Sequence, residues 1–454
     1  MSGPKVFFDE SLPVLVRELA HQLGGEVLEQ GLVARDTSGR LHFLSSSPPI
    51  PDEARATIED RLRQVLGGYV RPDRVISFRD EPGVAALVEE SRTAAFPMRH
   101  DSLDFRLLDR RIVGSAWVDP PQEVVAQPPR IVFASLKGGV GRTTALAVTA
   151  SDLARRNRNI LVIDLDLEAP GLGDMLLDDD RMPRFGTVDY LVENGLGGVP
   201  EQYVSDFVGT SALTTPGGGR VDVLPALGRQ AADQPSDTLA KLSRAMLEDV
   251  GPDGDVVTVT GQIAEMIARF AGRESYDVVL IDSRAGLSEL AAPAILGLGA
   301  NVLLFGTAQR QTIQGYAALF GGLKLLAERD RTSGRRAEWR LLLKAVYAKA
   351  SMADSTATRY RDDLYDLFAD NLYDAEDPLQ TNAEAINFDI DDTSAPHWPL
   401  VIPFHQSLID FDPVRAPHQL SEPFYEQAFR PFLDGIDSIV AFGGPSLTDL
   451  ESQR

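Results

Sequence analysis

A run of small and basic residues at 135–144, Ser-Leu-Lys-Gly-Gly-Val-Gly-Arg-Thr-Thr, has the composition of a phosphate-binding loop. It follows four apolar residues, 131–134, that predict a buried strand, and it leads into a segment with helical spacing. Glycines at such a strand–helix turn let backbone N–H groups converge on an anion, and the helix dipole adds favourable potential there. The segment therefore predicts binding of a polyphosphate at the N-terminus of a helix.

Aspartates end two further predicted strands. The strand 160–166 ends with Asp164 and Asp166, and the strand 276–282 ends with Asp282. Because the carboxyl ends of parallel strands share one edge of a sheet, we expect these carboxylates to lie beside the glycine-rich loop. A single aspartate at a strand end is usually a cap or turn residue, but three that follow a phosphate loop in this order favour a site for phosphoryl chemistry.

The glycine-rich run departs from the common G-x-x-x-x-G-K-[ST] loop. Leu136 stands at the first glycine position, Arg142 stands at the lysine position, and Lys137 is an additional basic residue at the front. With Asp166 placed 24 residues after Arg142, and with the strand that ends in Asp282, this pattern resembles the motifs of the ParA/MinD group of deviant Walker A P-loop ATPases. The Gly-Arg-Thr-Thr form is similar to a variant subgroup of bacterial ATPases with a KGGVGR motif.

The resemblance implies a role for each matching residue. Lys137 would be the signature lysine that reaches across a dimer interface to the partner's nucleotide, and Asp166 would orient the attacking water. Thr143 would bind Mg²⁺ directly, Asp282 would bind it through water, and Asp164 would support the metal shell. The implied nucleotide-binding set is Lys137, Gly138, Gly139, Val140, Gly141, Arg142, Thr143 and Thr144.

Arg142 distinguishes this chain from ordinary P-loop enzymes. Lysine is a compact point charge and arginine is a wide planar fork, so the two do not fit the cleft between the β- and γ-phosphates in the same way. Loss of a well-placed transition-state donor costs about 3–4 kcal/mol, which is on the order of 10²–10³ in rate. We count Arg142 as catalytic together with Lys137 and Asp166, and we expect an ATP hydrolase of weak activity.

The composition excludes several other functions. The 454-residue chain has no cysteine, which excludes thiolate metal sites, cysteine-held iron–sulfur clusters and cysteine nucleophiles. Its net charge of −23 disfavours binding to DNA or anionic lipid, since both need clustered lysine and arginine. No apolar run approaches about 18 residues, and the first ten residues lack the apolar segment of a signal peptide. We therefore expect a cytoplasmic protein without a membrane partner, and a DNA partner is disfavoured. The family resemblance implies that the protein uses ATP and Mg²⁺.

The sequence pattern predicts four regions. Residues 1–118 mix short helices and strands and predict a small α+β domain, whose expected role is recognition of an unknown protein partner. Residues 119–129 contain four prolines and predict a stiff linker. Residues 130–437 predict a doubly wound, mostly parallel α/β sheet of the P-loop NTPase type, and the family resemblance covers roughly 130–435. Residues 438–454 are expected to be a polar tail.

Strands and helices alternate in the predicted ATPase domain. Short apolar runs predict strands that are buried along their length, and segments with a period of three to four residues predict the helices between them. The predicted strands lie at 131–134, 160–166, 221–224, 276–282, 301–306, 339–347 and 399–402, and the main predicted helices at 143–156, 260–271, 311–329 and 355–368.

Three functions remain open from the residues alone. The first is an ATP-dependent dimerisation switch with slow hydrolysis, whose state the N-terminal domain or a partner would read. The second is a non-hydrolysing nucleotide-binding adaptor or regulatory subunit of a larger bacterial system, such as a defence system, and Arg142 motivates it. The third is a positioning ATPase on DNA or membrane, which the acidic composition and the lysine-free segment 431–454 disfavour.

Overall fold

The computed structural model describes residues 5–122, 127–213, 218–250, 253–351, 354–374, 385–420 and 423–442. Residues 123–126 of the predicted linker and residues 443–454 of the predicted polar tail lie outside these ranges. Across the described ranges, no helix is both long enough and apolar enough to cross a membrane.

Two compact units make up the chain. One comprises residues 1–118 with 323–337, and the other comprises residues 119–322 with 338–454. The segment 323–337 lies within the region that the sequence predicts as a single ATPase domain, yet its contacts are mainly with the first unit. The recognition role of residues 1–118 stays a prediction.

The first unit is a small α+β structure. Its sheet has the order β3-β2-β1-β5-β4, with β1 parallel to β5, β2 parallel to β3, and the other two pairs antiparallel. Leu15, Leu19 and Leu62 of its helices share a core with Phe43 of the sheet. Its elements are α1 (Phe8–Leu23), α2 (Gly25–Gln30), β1 (Leu32–Arg35), β2 (Leu41–Ser45), α3 (Asp52–Leu66), β3 (Ile76–Phe78), α4 (Val84–Glu90), β4 (Phe96–His100) and β5 (Leu103–Asp109).

The second unit is built on an eight-stranded sheet. The strands of this unit are β6 (Arg130–Ser135), β7 (Ile160–Asp164), β8 (Gly209–Thr210), β9 (Val221–Leu224), β10 (Asp249–Val250), β11 (Val256–Val257), β12 (Val278–Ala285), β13 (Asn301–Gly306), β14 (Leu343–Ala350) and β15 (Leu400–Pro403). The sheet order is β15-β14-β13-β6-β12-β7-β9-β8, and neighbouring strands run parallel apart from β8 and β9. The separate pair β10 and β11 is antiparallel. This architecture confirms the predicted doubly wound, mostly parallel α/β class.

Burial explains why the strands of this sheet are apolar throughout. Every residue of β6, β7, β9 and β13 is buried, as expected for parallel strands that are covered on both faces. The helices that alternate with the strands along this part of the chain are α5 (Arg142–Arg155), α6 (Leu172–Leu176), α7 (Thr187–Asn194), α8 (Arg229–Asp233), α9 (Thr238–Ala245), α10 (Val259–Ala271), α11 (Ala291–Leu296), α12 (Arg310–Thr332), α13 (Asp354–Asn371) and α14 (Pro423–Phe442).

The predicted elements of this unit are found with small shifts. The strands at 221–224 and 301–306 have the predicted bounds. Residues 339–342, which the sequence assigns to a strand, lie in a 3₁₀ turn, and β14 runs on to Ala350 instead. Helix α14 was not predicted, and it continues past residue 437, where the sequence pattern ends the ATPase domain.

Three phenylalanines support the strand that carries the glycine-rich loop. Phe133 of β6 stacks on Phe305 of β13 with ring centres 5.8 Å apart, and Phe432 of α14 lies 6.0 Å from Phe305. All three side chains are fully buried. Aromatic pairs at these distances stabilise a core beyond the area that they bury, so this cluster joins α14 to the centre of the sheet.

We predict that Phe305→Ala lowers the free energy of unfolding by about 3–5 kcal/mol, because it removes a buried ring and leaves a cavity. Phe305→Leu, which keeps most of the volume, is expected to cost less than about 1.5 kcal/mol. Urea denaturation of the 454-residue chain measures both changes. Leu239→Ala, at a side chain that is 78% exposed, serves as the control and is expected to change stability by less than about 0.5 kcal/mol.

Candidate functional site

The glycine-rich loop connects β6 to α5 and borders open space. Gly139 and Gly141 have φ angles of 73° and 93°, in the left-handed region that glycine adopts without a steric penalty. A Cβ atom added at Gly138 or Gly139 would meet no heavy atom within 4 Å. Helix α5, which is 14 residues long, begins at Arg142 directly after this loop. The local structure therefore has the open backbone and helix N-terminus that phosphate binding requires.

A cavity of about 660 Å³ lies against this loop. Gly138 to Thr144 and Asp166 line one part of it, and Ile402 and Phe404 line another part. The size falls within the range of about 300–1,000 Å³ that is typical of small-molecule sites. Of the nucleotide-binding residues implied by the sequence, those from Gly138 to Thr144 therefore share one cavity wall.

Arg142 is held by two carboxylates at the base of this cavity. Its Nη2 lies 2.8 Å from Oδ2 of Asp166, and its Nε lies 2.5 Å from Oδ1 of Asp282. Its Nη1 also donates to the hydroxyl of Ser135 at 3.4 Å. The Arg142 residue is only 7% exposed. Such charge-assisted bonds are roughly twice as strong as neutral ones, so the guanidinium firmly joins the ends of β7 and β12 to the start of α5.

The third aspartate at this edge, Asp164, is fully buried beneath the loop that follows β7. Its two carboxylate oxygens accept backbone N–H groups of Asp166 at 2.9 Å and of Leu172 at 3.3 Å. Burial, with the nearby charge of Asp282, raises the pKa of Asp164 to about 8. Asp164 therefore supports the backbone around Asp166 in this structure, and its predicted role in a metal shell stays a prediction.

Thr143 and Asp282, to which the family resemblance assigns Mg²⁺, contact each other. The hydroxyl of Thr143 donates to Oδ2 of Asp282 at 2.7 Å. Burial raises the pKa of Asp282, while the Arg142 guanidinium and this hydroxyl favour its charged form. Within the described ranges, no group of three or more acidic or histidine side chains is arranged to hold a metal ion. Mg²⁺ in phosphate sites is commonly held by one or two protein oxygens together with water and substrate phosphates, so this oxygen pair fits it.

Lys137 does not line the cavity that Gly138 to Thr144 border. It is exposed, and its Nζ donates to the side-chain oxygen of Gln309 at 3.1 Å. Together with Leu136 and Thr312 it lines a neighbouring cavity of about 200 Å³. An exposed ammonium beside the phosphate loop is compatible with the reach across an interface that the family resemblance implies.

Two β-bulges at the same sheet edge add basic residues that the sequence motifs did not predict as part of the site. In β14, Lys349 is inserted between Ala348 and Ala350, has a φ of 50°, and donates from Nζ to the Gly139 carbonyl at 2.6 Å. In β12, the register shifts between Asp282 and Ala285, which places Arg284 at the cavity. Bulges of this kind commonly re-aim side chains at functional sites.

The sequence contained a partial signal for these two residues. Lysine is rare in the chain, with six lysines among its 44 basic residues, so a lysine at a strand end in the predicted sheet is conspicuous. Arg284 follows Asp282, the aspartate at the end of the predicted strand 276–282, by two positions. The sequence could not show the bulges, because an inserted residue is defined only by the register of the neighbouring strand.

We predict that Arg142→Ala lowers the free energy of unfolding by about 3–5 kcal/mol, because it leaves Asp166 and Asp282 as unpaired buried carboxylates. Arg158→Ala serves as the control. Arg158 pairs with Asp277 at 3.0 Å but is 54% exposed, so its loss is expected to cost less than about 1 kcal/mol. Equal effects of the two substitutions in urea denaturation would contradict the structural role of Arg142.

Comparison with solved structures finds similar chains among plasmid partition and cell division proteins. The septum site-determining protein MinD of Pyrococcus horikoshii, complexed with Mg-ADP, is 18% identical, and the match covers 70% of this chain and 99% of that chain with a TM-score of 0.42. MinD of Aquifex aeolicus is 18% identical, with coverages of 68% and 97% and a TM-score of 0.40. The pNOB8 ParA bound to nonspecific DNA is 13% identical, with coverages of 72% and 99% and a TM-score of 0.39. Comparison with curated protein sequences returns no match.

One protein-family model matches part of the chain. The model described as the CobQ/CobB/MinD/ParA nucleotide binding domain matches residues 131–329, a segment that runs from β6 into α12 and contains the glycine-rich loop. The resemblance drawn from the sequence motifs is confirmed at this level, and the KGGVGR subgroup stays a prediction. Residues 131–329 of this chain are therefore similar to the CobQ/CobB/MinD/ParA nucleotide binding domain.

Proposed function

We propose that the protein binds Mg–ATP in the cavity beside the glycine-rich loop and acts as an ATP-dependent dimerisation switch with slow hydrolysis. One observation carries this proposal: the loop at 138–144, the N-terminus of α5 and Asp166 line one cavity of about 660 Å³. The arrangement concentrates backbone N–H groups and a helix dipole at the place where a polyphosphate would sit. The match of residues 131–329 to the family model of a nucleotide binding domain supports a nucleotide as the ligand.

The residues of the chain would divide the work of hydrolysis. Backbone N–H groups of the loop would hold the phosphates, and Asp166 would orient a water molecule for in-line attack on the γ-phosphorus as the bond to the β–γ bridging oxygen breaks. Thr143 and Asp282 would hold Mg²⁺, which supplies positive charge to the phosphate oxygens when bound. ADP and phosphate are the products.

The ion pairs of Arg142 support slow turnover. The carboxylate of Asp166 that would orient water lies 2.8 Å from the Arg142 guanidinium, so it is engaged before any reaction begins. To reach a phosphate oxygen, Arg142 would have to leave Asp166 and Asp282, and both of those carboxylates are buried with it. Breaking such a buried arrangement is costly, which favours binding over rapid hydrolysis.

Lys137 supports the dimerisation part of the proposal. Its ammonium is exposed beside the loop, and its contact with Gln309 lies between exposed groups, so a stronger acceptor on a second chain could replace that contact. A phosphate group on the partner's nucleotide is such an acceptor, because hydrogen bonds between charged groups are stronger than those to a neutral amide.

A non-hydrolysing adaptor is the second candidate, and one observation favours it. Asp166 is paired with Arg142, and the other oxygen of its carboxylate, Oδ1, is buried without a hydrogen-bond partner in the structure. Because Oδ2 is paired with Arg142 and Oδ1 is buried, a carboxylate that stays in this position would bind no attacking water. Nucleotide binding alone would then set the state of the protein.

We predict that Asp166→Asn, which weakens hydrolysis and keeps the side-chain shape, doubles in solution mass when Mg²⁺ and ATP are added. Light scattering measures the mass. Lys137→Ala in the same background is expected to remain monomeric, because the ammonium that crosses the interface is lost, while Lys5→Ala is the matched lysine control and is expected to dimerise. An unchanged mass for Asp166→Asn, with ATP binding still detectable by calorimetry, would reject the dimerisation switch.

We predict that Arg142→Lys raises the rate of phosphate release by about tenfold or more, because lysine cannot hold both Asp166 and Asp282 and can contact the β- and γ-phosphates as a point charge. A phosphate-release assay at saturating Mg–ATP measures this rate. The wild type is expected to show slow release that Asp166→Asn abolishes. Release by the wild type that does not exceed that of Asp166→Asn would support the adaptor instead.

A further inference from the structure

The loop that follows β7 and the C-terminal end of β12 are joined by two ion-pair layers. In the buried layer, Arg142 bridges Asp166 and Asp282. In the outer layer, Arg284 forms an ion pair with Glu168, and these side chains are 27% and 40% exposed. Each outer residue lies two positions after a buried aspartate, so the second pair lies nearer to solvent on the same two segments.

The bulge in β12 explains why Arg284 borders the cavity. Asp282 pairs with Phe133, and Ala285 pairs with Ser135, so two residues of β12 stand opposite one residue of β6. The following Gly286 has a φ of 95° and donates its N–H to the Ser135 carbonyl at 2.9 Å, which closes the bulge onto β6. Arg284 therefore reaches the cavity because of backbone geometry that regular strand pairing would not produce.

Two other basic groups that line the cavity, Arg142 and Lys349, already have strong contacts. Arg142 is buried between two carboxylates, and Lys349 donates to the Gly139 carbonyl at 2.6 Å. Arg284, in contrast, lines the cavity and pairs with one half-exposed carboxylate. An ion pair of this exposure is weak, so a phosphate group can compete for its guanidinium far more readily than for that of Arg142.

We propose that Arg284 senses the terminal phosphate of the bound nucleotide by exchanging Glu168 for a γ-phosphate oxygen. This inference rests on the proposed binding of a nucleotide triphosphate in the same cavity. A triphosphate presents a dianionic terminal group to the guanidinium, and a diphosphate does not reach as far. Release of Glu168 then frees the loop after β7, which carries Asp166, so the exchange links the γ-phosphate to the position of the residue proposed to orient water.

The experiment compares two nucleotides on four variants of the 454-residue chain. Calorimetry with Mg²⁺ measures the dissociation constants of ATPγS and of ADP for Arg284→Gln, Arg284→Lys, Glu168→Gln and the control Arg273→Gln. Arg273 forms a surface ion pair with Glu201 in the same unit and does not line the cavity. Arg273→Gln therefore controls for the loss of one ion-paired arginine away from the cavity.

The proposal expects a change in the preference for triphosphate over diphosphate. Arg284→Gln should weaken ATPγS binding at least tenfold and change ADP binding less than twofold, and Arg284→Lys should recover part of the loss. Glu168→Gln should strengthen ATPγS binding about threefold or more, because it removes the competing carboxylate. Arg273→Gln should leave both constants unchanged.

Two results would overturn the sensing role of Arg284 and leave the proposed nucleotide binding in place. In the first, the wild type binds both nucleotides, and Arg284→Gln has the same ratio of the dissociation constants for ATPγS and ADP as the wild type. In the second, Glu168→Gln has a lower affinity for ATPγS than the wild type. This second measurement does not depend on whether Arg284→Gln folds. A wild type that binds neither nucleotide rejects the proposed function and the sensing role together.

Discussion

The pairing of one buried guanidinium with two buried carboxylates governs the geometry of the site. Ions in a protein interior lose their hydration, and they are tolerated only when each charge has a close partner. The planar fork of Arg142 meets Asp166 and Asp282 at the same time, which a single ammonium could not do as well. The ends of two strands and the beginning of a helix are thereby fixed to one another, and the loops beyond them start from defined positions.

The parallel sheet brings these groups together. β6 lies between β13 and β12, and β12 lies next to β7, so the glycine-rich loop and both aspartate-bearing strand ends emerge at one edge. Parallel pairing requires this, because the loops after each strand all leave on the same side. The bulges at Arg284 and Lys349 modify the same edge locally and supply positive charge next to the backbone of the loop.

The local motifs of the site could be predicted from the sequence, and its long-range contacts could not. Gly138 to Thr144 were identifiable because a strand, glycines and a helix start follow each other directly in the chain. The partners of Arg142 depend on strand order, which no local pattern encodes. Helix α14 was missed although Phe429, Phe432, Leu433 and Ile436 have helical spacing and are buried, because Pro431 lies among them and usually indicates a break.

The central position of β6 has a consequence for biosynthesis. β6 is the first strand of its sheet to leave the ribosome, yet its two neighbours begin only at Val278 and Asn301. At bacterial and eukaryotic elongation rates of about 5–20 residues per second, β6 waits on the order of ten seconds for its hydrogen-bonding partners. During that interval the apolar residues of β6 have neither of their neighbouring strands, and the centre of the sheet is complete only after Gly306 has been synthesised.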